Sequence, residues 1–100
     1  MTNEAFVISA RRTPVVPRDG LFSDVSIFEL SERVIKDCLF DGGICENDVD
    51  EVYIGNAMSG GGNPARLISL FANIPESVPS FTIDTQCCSG LDAVIAGVKS

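Results

Sequence analysis

Short apolar runs alternate along the chain with longer stretches in which apolar residues recur at helical spacing. Three of the runs are rich in β-branched or aromatic residues and are predicted to be strands, at residues 5–10, 52–57 and 80–84. Because helical spacing follows each run, the pattern predicts βαβαβα, an α/β fold with a parallel sheet. The first run is nearly continuously apolar, which is typical of a strand covered on both faces.

Two of the predicted helices have recognisable starts. Ser26 followed three residues later by Glu29 forms a capping-box pattern, and Gly42 and Gly43 mark the end of that helix. Its apolar stripe is predicted to be buried and comprises Ile27, Leu30, Val34, Ile35, Cys38 and Leu39.

The second helix is predicted to begin at Asn63 as N-cap, with Pro64 in the first helical position. Leu67, Leu70 and Phe71 are expected to form its inward face. A third helix follows residues 86–90 and is still in progress at residue 100. The sequence therefore predicts that residues 1–100 are a truncated chain or a fragment, with one domain at most.

The charge balance excludes one class of partner. Seven basic residues against fourteen acidic ones, with no histidine, give a formal net charge of −7, which disfavours nucleic-acid binding. No apolar run approaches the roughly 18 residues of a membrane span, and the first arginines follow the apolar stretch, unlike those of a secretory signal. The sequence thus predicts a cytoplasmic protein without a nucleic-acid or membrane partner.

Four cysteines are the candidate reactive side chains. A reducing compartment favours free thiols over disulfides, and the chain has neither a C-x-x-C pair nor a histidine, so no metal site is expected. Cys38 lies on a predicted apolar helix face and is expected in the core. Cys45 lies in an acidic segment, which disfavours its thiolate.

Cys87 is the strongest candidate, because a strand that leads directly into a helix places its turn residue near the free N–H groups of the first helical turn. Such a position favours the thiolate. Its small neighbours Ser89 and Gly90 leave room for a substrate carbonyl, which the N–H of the nucleophile helps to polarise. The spacing alone does not separate Cys87 from Cys88, and a small buried structural role remains the alternative for either.

Two further motifs have simpler explanations. The glycines at residues 60–62 lack the Gly-Lys-Ser/Thr ending of a phosphate-binding loop, so a flexible turn is predicted. Arg11, Arg12 and Arg18 form the basic cluster of the chain and are interpreted as surface charge, with an anionic ligand as the alternative.

Six blocks of the sequence together resemble the amino-terminal segment of thiolases, the acetyl-CoA acyltransferases. The blocks are Val7-Ile8-Ser9-Ala10 followed by Arg12-Thr13-Pro14, Asp50-Glu51-Val52, Gly55-Asn56, Asn63-Pro64-Ala65-Arg66, Pro75-Glu76-Ser77-Val78-Pro79, and Thr82-Ile83 through Cys87-Cys88-Ser89-Gly90-Leu91. Two departures stand out: Asp84 occupies a usual asparagine position, and Cys88 replaces a smaller residue.

The resemblance implies a portion of an αβαβα layered fold, with Cys87 as the nucleophile at the amino end of a buried helix. It further implies acyl-CoA or 3-ketoacyl-CoA as substrate, an acyl-cysteine intermediate, a place in fatty acid metabolism, no cofactor, and a homo-oligomer or association with the missing remainder. The catalytic histidines of the family lie beyond residue 100, so the chain alone is expected to be inactive. A ketoacyl-synthase-like condensing enzyme and a non-catalytic thiolase-fold remnant are the alternatives.

Overall fold

The computed structural model describes residues 4–100. It contains three α-helices, α1 (Ile27–Gly42), α2 (Pro64–Phe71) and α3 (Ser89–Lys99), and two strands, β1 (Val52–Gly55) and β2 (Ser80–Ile83). Two short 3-10 turns, Glu46–Asp48 and Gln86–Cys88, precede β1 and α3. The strand and helix starts lie close to the predicted ones.

The two strands form a parallel pair joined through α2, which makes a βαβ unit. Tyr53 is paired with Phe81 in the register, and their rings stack at a centroid distance of 4.8 Å. Residues that are paired across two parallel strands point to the same face of the sheet, whereas successive residues of one strand point to opposite faces. The stacked rings therefore define one face, and the residues on either side of Phe81 define the other.

Helices cover both faces of this sheet. The N–H of Ala65 in α2 donates to the Thr82 hydroxyl at 3.0 Å, which places α2 on the Thr82 face. A β-carbon at Gly97 in α3 would lie 3.7 Å from the Tyr53 ring, which places α3 on the opposite face. α1 packs against α2. The predicted α/β class with a parallel sheet is confirmed, with three helix–sheet–helix layers.

Local capping explains the bounds of α1. The Ser26 hydroxyl accepts a hydrogen bond from the Glu29 N–H at 3.1 Å, and Gly43 ends the helix in the left-handed conformation at φ 70°. Within residues 4–100 no bond joins the Glu29 carboxylate to the Ser26 N–H, so one half of the predicted capping box forms.

The predicted strand at residues 5–10 is wrong. This segment is irregular, and Phe6 and Val7 are exposed by 80% and 86%. Its contacts are with the end of α1, where Ile8 lies beside Gly42 and the Arg11 guanidinium binds the Asp41 carboxylate. A strand requires a neighbouring strand for its hydrogen bonds, and the apolar pattern alone does not supply one.

The predicted burial of two helices also needs correction. Leu67, Leu70 and Phe71 are 54%, 41% and 47% exposed, whereas the buried residues of α2 are Pro64, Ala65, Ile68 and Ser69. Ala65 and Ser69 are small and let α2 lie close to the sheet, and Ile68 is the one large apolar side chain of the helix that is buried. The stripe of α1 is half-buried rather than buried, with Cys38 half-buried and Ile27 at 37% exposure.

α3 carries an uncovered apolar stripe. Its residues recur at positions i, i+3, i+4 and i+7 with exposures of 40% to 65%, and they are Leu91, Val94, Ile95 and Val98. The opposite side of α3 contributes Ala93 to the core. None of the helices within residues 4–100 combines the length and the apolar character needed to cross a membrane.

Candidate active site

Cys87 lies in the 3-10 turn that links the carboxyl end of β2 to the first residue of α3. Its side chain is exposed, as is that of Cys88, and both are free thiols. Neither lies within a strand or an α-helix, and neither is enclosed by apolar side chains. The structure thus places Cys87 at the strand-to-helix bend where the sequence predicts it.

A network of hydrogen bonds fixes the Cys87 turn, which comprises residues 84–89. The Ser89 hydroxyl accepts from the Thr85 N–H at 2.9 Å and donates to the Gln86 carbonyl at 2.7 Å. The Asp84 carboxylate accepts from the Gln86 N–H at 3.0 Å. The Thr85 hydroxyl also donates to the carboxylate of Asp92, which lies beyond the turn in α3. Side chains from both flanking elements therefore hold the backbone that carries the cysteine.

The backbone of this turn departs from ordinary geometry at one residue. Gln86 has φ 61°, a left-handed conformation that non-glycine residues adopt uncommonly. Such a conformation persists when surrounding contacts impose it, and it clusters at functional sites. The residue immediately before Cys87 is therefore held in place by its surroundings.

The N–H of Cys87 is free to act as a donor. Among the hydrogen bonds of residues 4–100, none uses it, whereas the Cys88 N–H points to the Thr85 carbonyl at 3.5 Å. A free main-chain donor beside a nucleophilic sulfur is the group that polarises a carbonyl under attack. The turn therefore presents an exposed thiol together with a main-chain N–H that has no partner among the described residues.

Gly55 allows the end of β1 to contact the backbone at the start of α3, next to the Cys87 turn. A β-carbon at Gly55 would lie 2.5 Å from the Ser89 carbonyl carbon and 2.6 Å from the Gly90 nitrogen, so β1 meets the start of α3 backbone to backbone. The sequence pattern by itself predicts no role for Gly55, Thr85 or Asp92. A glycine inside a strand often marks the close approach of another backbone, and this is the sequence signal that could have identified Gly55.

The remaining candidates lie elsewhere. Cys45 is exposed before the first 3-10 turn, where its N–H donates to Asp48 and lowers the pKa of that carboxyl. Arg11 is bound to Asp41, and Arg12 donates to the Thr13 carbonyl at 3.1 Å. The bond to Arg11 lowers the pKa of Asp41 and raises that of Arg11. The described residues bring none of these groups to Cys87.

The glycine-rich loop at residues 60–62 is organised by a neighbouring side chain. The Asn56 side chain donates to the Gly60 carbonyl at 3.3 Å and accepts from the Ser59 N–H at 3.1 Å. Gly60 and Gly62 have positive φ, as tight turns require. This arrangement agrees with the predicted turn, although Asn56 gives its start more order than the glycines alone suggest.

Comparison with known proteins identifies relatives over nearly the whole chain. Residues 5–100 match the family described as thiolase, N-terminal domain. A probable acetyl-CoA acyltransferase of Staphylococcus epidermidis is 40% identical over 93 residues, which are 91% of this chain and 24% of the relative. The chain thus spans about a quarter of the length of the curated relatives it matches.

Solved structures agree with this match. The Acat5 thiolase from Ascaris suum in complex with coenzyme A superposes with a TM-score of 0.89 at 30% identity, covering 94% of this chain and 25% of that one. The human mitochondrial 3-ketoacyl-CoA thiolase in complex with CoA gives a TM-score of 0.85 at 33% identity, with 94% and 25% coverage. The fold is consistent with an incomplete thiolase-like fold. In sequence and in structure, the chain belongs to the thiolase family.

Proposed function

We propose that this protein is a thiolase-type acyltransferase in which the sulfur of Cys87 accepts an acyl group from a coenzyme A thioester. The observation that carries the proposal is the exposed position of Cys87 between β2 and α3 in a member of the thiolase family. The names of the relatives support the acyltransferase class, and two similar thiolases are bound to coenzyme A. Because the chain spans about a quarter of its relatives, the complete reaction is proposed for the whole protein.

The acylation step follows from the groups at the turn. The Cys87 thiol releases its proton to solvent and its sulfur attacks the carbonyl carbon of the thioester, so that negative charge develops on the carbonyl oxygen. The free Cys87 N–H is the donor that this chain offers to that oxygen. When the carbonyl re-forms, the carbon–sulfur bond to coenzyme A breaks, leaving an acyl-cysteine and a coenzyme A thiolate that takes up a proton.

The other half of a thiolase reaction requires a base. Forming or cleaving a carbon–carbon bond next to a thioester involves proton transfer at the α-carbon and stabilisation of an enolate oxygen. This sequence contains no histidine, and two nearby carboxylates, Asp84 in the turn and Asp92 in α3, are engaged in hydrogen bonds. We therefore propose that the 100-residue chain accepts an acyl group without cleaving ketoacyl-CoA.

Acylation is tested by incubating the chain with acetyl-CoA and mapping its peptides by mass spectrometry. We expect one acetyl group on the peptide that contains residue 87, lost on treatment with hydroxylamine, which cleaves thioesters. Cys88→Ala should retain the acetyl group and Cys87→Ala should lose it. These two variants form a matched pair, since both side chains are exposed in the same turn.

Two outcomes would contradict the assignment. Acetylation that persists in Cys87→Ala and disappears in Cys88→Ala would transfer the role to Cys88. Equal labelling of Cys45 and Cys87 would indicate non-specific thiol chemistry and favour a non-catalytic thiolase-fold chain. Separately, release of acetyl-CoA from acetoacetyl-CoA and coenzyme A by the purified chain would disprove its proposed inability to cleave the substrate.

We also propose that the chain associates in solution, with a second copy or with further thiolase polypeptide. Support comes from its exposed apolar residues, which include the stripe of α3 and the segment around Phe6. Sedimentation velocity across a concentration series tests this. A single monomeric species throughout, unfolding cooperatively, would contradict it.

A further inference from the structure

We infer that Ser89 is a positioning residue for Cys87, because its hydroxyl holds Gln86 in the left-handed conformation that sets the course of the Cys87 turn. The inference rests on the proposed role of Cys87 and extends it to a side chain that has no direct part in the acyl transfer. It concerns the hydroxyl of Ser89, whereas the sequence assigns to this residue only small size.

The hydroxyl of Ser89 lies inside the turn rather than at its surface. Ser89 is 5% exposed, and its Oγ lies 2.9 Å from the Thr85 nitrogen and 2.7 Å from the Gln86 oxygen. One atom therefore bridges the peptide group before Thr85 and the peptide group after Gln86, so that the bridge spans both residues. Both contacts are to main chain, so they constrain backbone torsions directly.

The constrained residue is one that would otherwise prefer a different conformation. Glutamine has a β-carbon and no short polar side chain to favour φ 61°. In the absence of the hydroxyl, rotation of Gln86 toward negative φ relieves this strain and changes the direction of the chain at Cys87. The Asp84 carboxylate also binds the Gln86 N–H, but it leaves the carbonyl side of Gln86 unrestrained.

The position of Ser89 itself is fixed independently. Its backbone lies against Gly55 of β1 with no room for a β-carbon between them. The hydroxyl therefore reaches the turn from a main chain that the sheet supports. The contact of Ser89 with β1 therefore fixes the hydroxyl that binds the Gln86 carbonyl, directly before Cys87.

The test measures the rate at which iodoacetamide alkylates Cys87, relative to exposed Cys45 in the same chain, by quantitative peptide mass spectrometry. Ser89→Ala should lower this ratio by about two- to fivefold, the size of effect that helix N-terminal groups have on a nearby charge. Adding Gln86→Gly to Ser89→Ala should return the ratio to that of the unaltered chain, because glycine adopts positive φ without a β-carbon penalty. Gln86→Ala in place of Gln86→Gly is the matched control and should restore nothing.

A purely structural role for Ser89 predicts otherwise. If loss of the hydroxyl simply loosened the fold, glycine would loosen it further, and the ratio would fall again or stay low. An unchanged ratio in Ser89→Ala, or equal recovery with glycine and alanine at position 86, would likewise overturn the inference. Half-buried Cys38 reports global opening, since unfolding would raise its alkylation to the rate of Cys45.

If Ser89→Ala unfolds the chain, Ser89→Thr is the variant to measure, because threonine retains the hydroxyl. A Cys87/Cys45 alkylation ratio within about twofold of the unaltered chain supports the inference. The inference is contradicted if Ser89→Thr is folded and still protects the Thr85 N–H from hydrogen exchange, but has a lower alkylation ratio. Alkylation uses no coenzyme A. Absence of acetylation by acetyl-CoA alongside the expected alkylation pattern would therefore reject the proposed function while leaving the role of Ser89 standing.

Discussion

Gly55 and Ser89 are in backbone contact, so close that a β-carbon at residue 55 would stand 2.7 Å from the Ser89 carbonyl oxygen. This contact joins the end of β1 to the beginning of α3, directly below the turn that carries Cys87. The atoms that would be displaced belong to main chain and cannot rotate away. The size of residue 55 therefore determines how closely α3 approaches the sheet.

Gly55→Ala is expected to destabilise the fold by about 1–3 kcal/mol, the range for overpacking a closely packed contact. Equilibrium urea unfolding followed by circular dichroism measures the change. Gly97→Ala is the control, since its β-carbon would meet only the Tyr53 ring at 3.7 Å within a helix that favours alanine. Gly97→Ala should be neutral or stabilising by up to about 1 kcal/mol. Equal stability of the two variants would show that α3 moves freely relative to β1.

Asn63 links the start of α2 to β2. Its side-chain oxygen accepts from the Arg66 N–H at 3.3 Å and from the Thr82 hydroxyl, while its amide donates to the Ser80 carbonyl at 3.0 Å. Asn63→Ala should cost about 2 kcal/mol, the upper part of the range for an N-cap. Asn63→Asp, which retains the accepting oxygen, should cost less.

Ser26→Ala is the comparison for Asn63→Ala, because Ser26 caps α1 through one bond. It should cost about 0.5–1 kcal/mol in the same urea titration. A cost for Ser26→Ala that equals or exceeds that of Asn63→Ala would refute the additional role of Asn63 in binding β2.

Arg66 fastens the connection between α2 and β2. Its guanidinium donates to the Glu76 carbonyl at 2.7 Å and to the Val78 carbonyl at 3.0 Å. Arg66→Ala should lower the free energy of unfolding by about 2–3 kcal/mol, because hydrogen bonds from a charged group are lost and a half-buried carbonyl is left unpaired. Arg66→Lys should recover only part, since a single ammonium does not reproduce the planar fork.

Arg33→Ala provides the control for Arg66→Ala. Its partner is Asp37, one turn away on α1, and its side chain is 82% exposed. Such surface pairs contribute about 0.3–0.5 kcal/mol. If both arginine variants lose stability to the same small extent, the loop carbonyls do not depend on Arg66.

Asp41 should make the attachment of the amino-terminal segment sensitive to acid. Its bond to Arg11 holds the pKa of Asp41 below the ordinary value of 3.8. A lowered carboxyl pKa means that the contact is fully present above the ordinary value and is lost as the pH falls through the folded one. We expect the NMR signals of Ile8 and Gly42 to shift below about pH 4. Asp41→Asn should abolish this shift; an unchanged titration would contradict the assignment.

The sequence predicts features that are encoded by neighbouring residues. Ser26 and Asn63 each cap a helix within three residues of their own position, and Gly43 ends α1 through its own torsion angle. The same holds for Cys87, whose place follows from one strand leading into one helix. These features need no knowledge of distant contacts.

Features that depend on a partner are predicted less well. The apolar run at residues 5–10 has the composition of a strand, but no strand among residues 4–100 pairs with it. Two faces of α2 carry apolar residues, and the face with the larger side chains, Leu67, Leu70 and Phe71, is predicted to be buried but is exposed. Ala65, Ile68 and Ala72 recur with equal helical spacing and are the ones that are buried. Ile68 is as large as the exposed leucines, so neither size nor hydrophobicity alone selects the buried face, which depends on where the sheet lies relative to the helix.

The uncovered stripe of α3 should make association of the chain depend on temperature. Contacts between apolar side chains are driven near room temperature by the entropy of released water, so they strengthen on warming. Association through ion pairs, by contrast, is weakened by salt. Cold, dilute solutions of moderate ionic strength should therefore keep the chain dispersed. Heating or added sulfate should instead favour association that removes Leu91, Val94, Ile95 and Val98 from water.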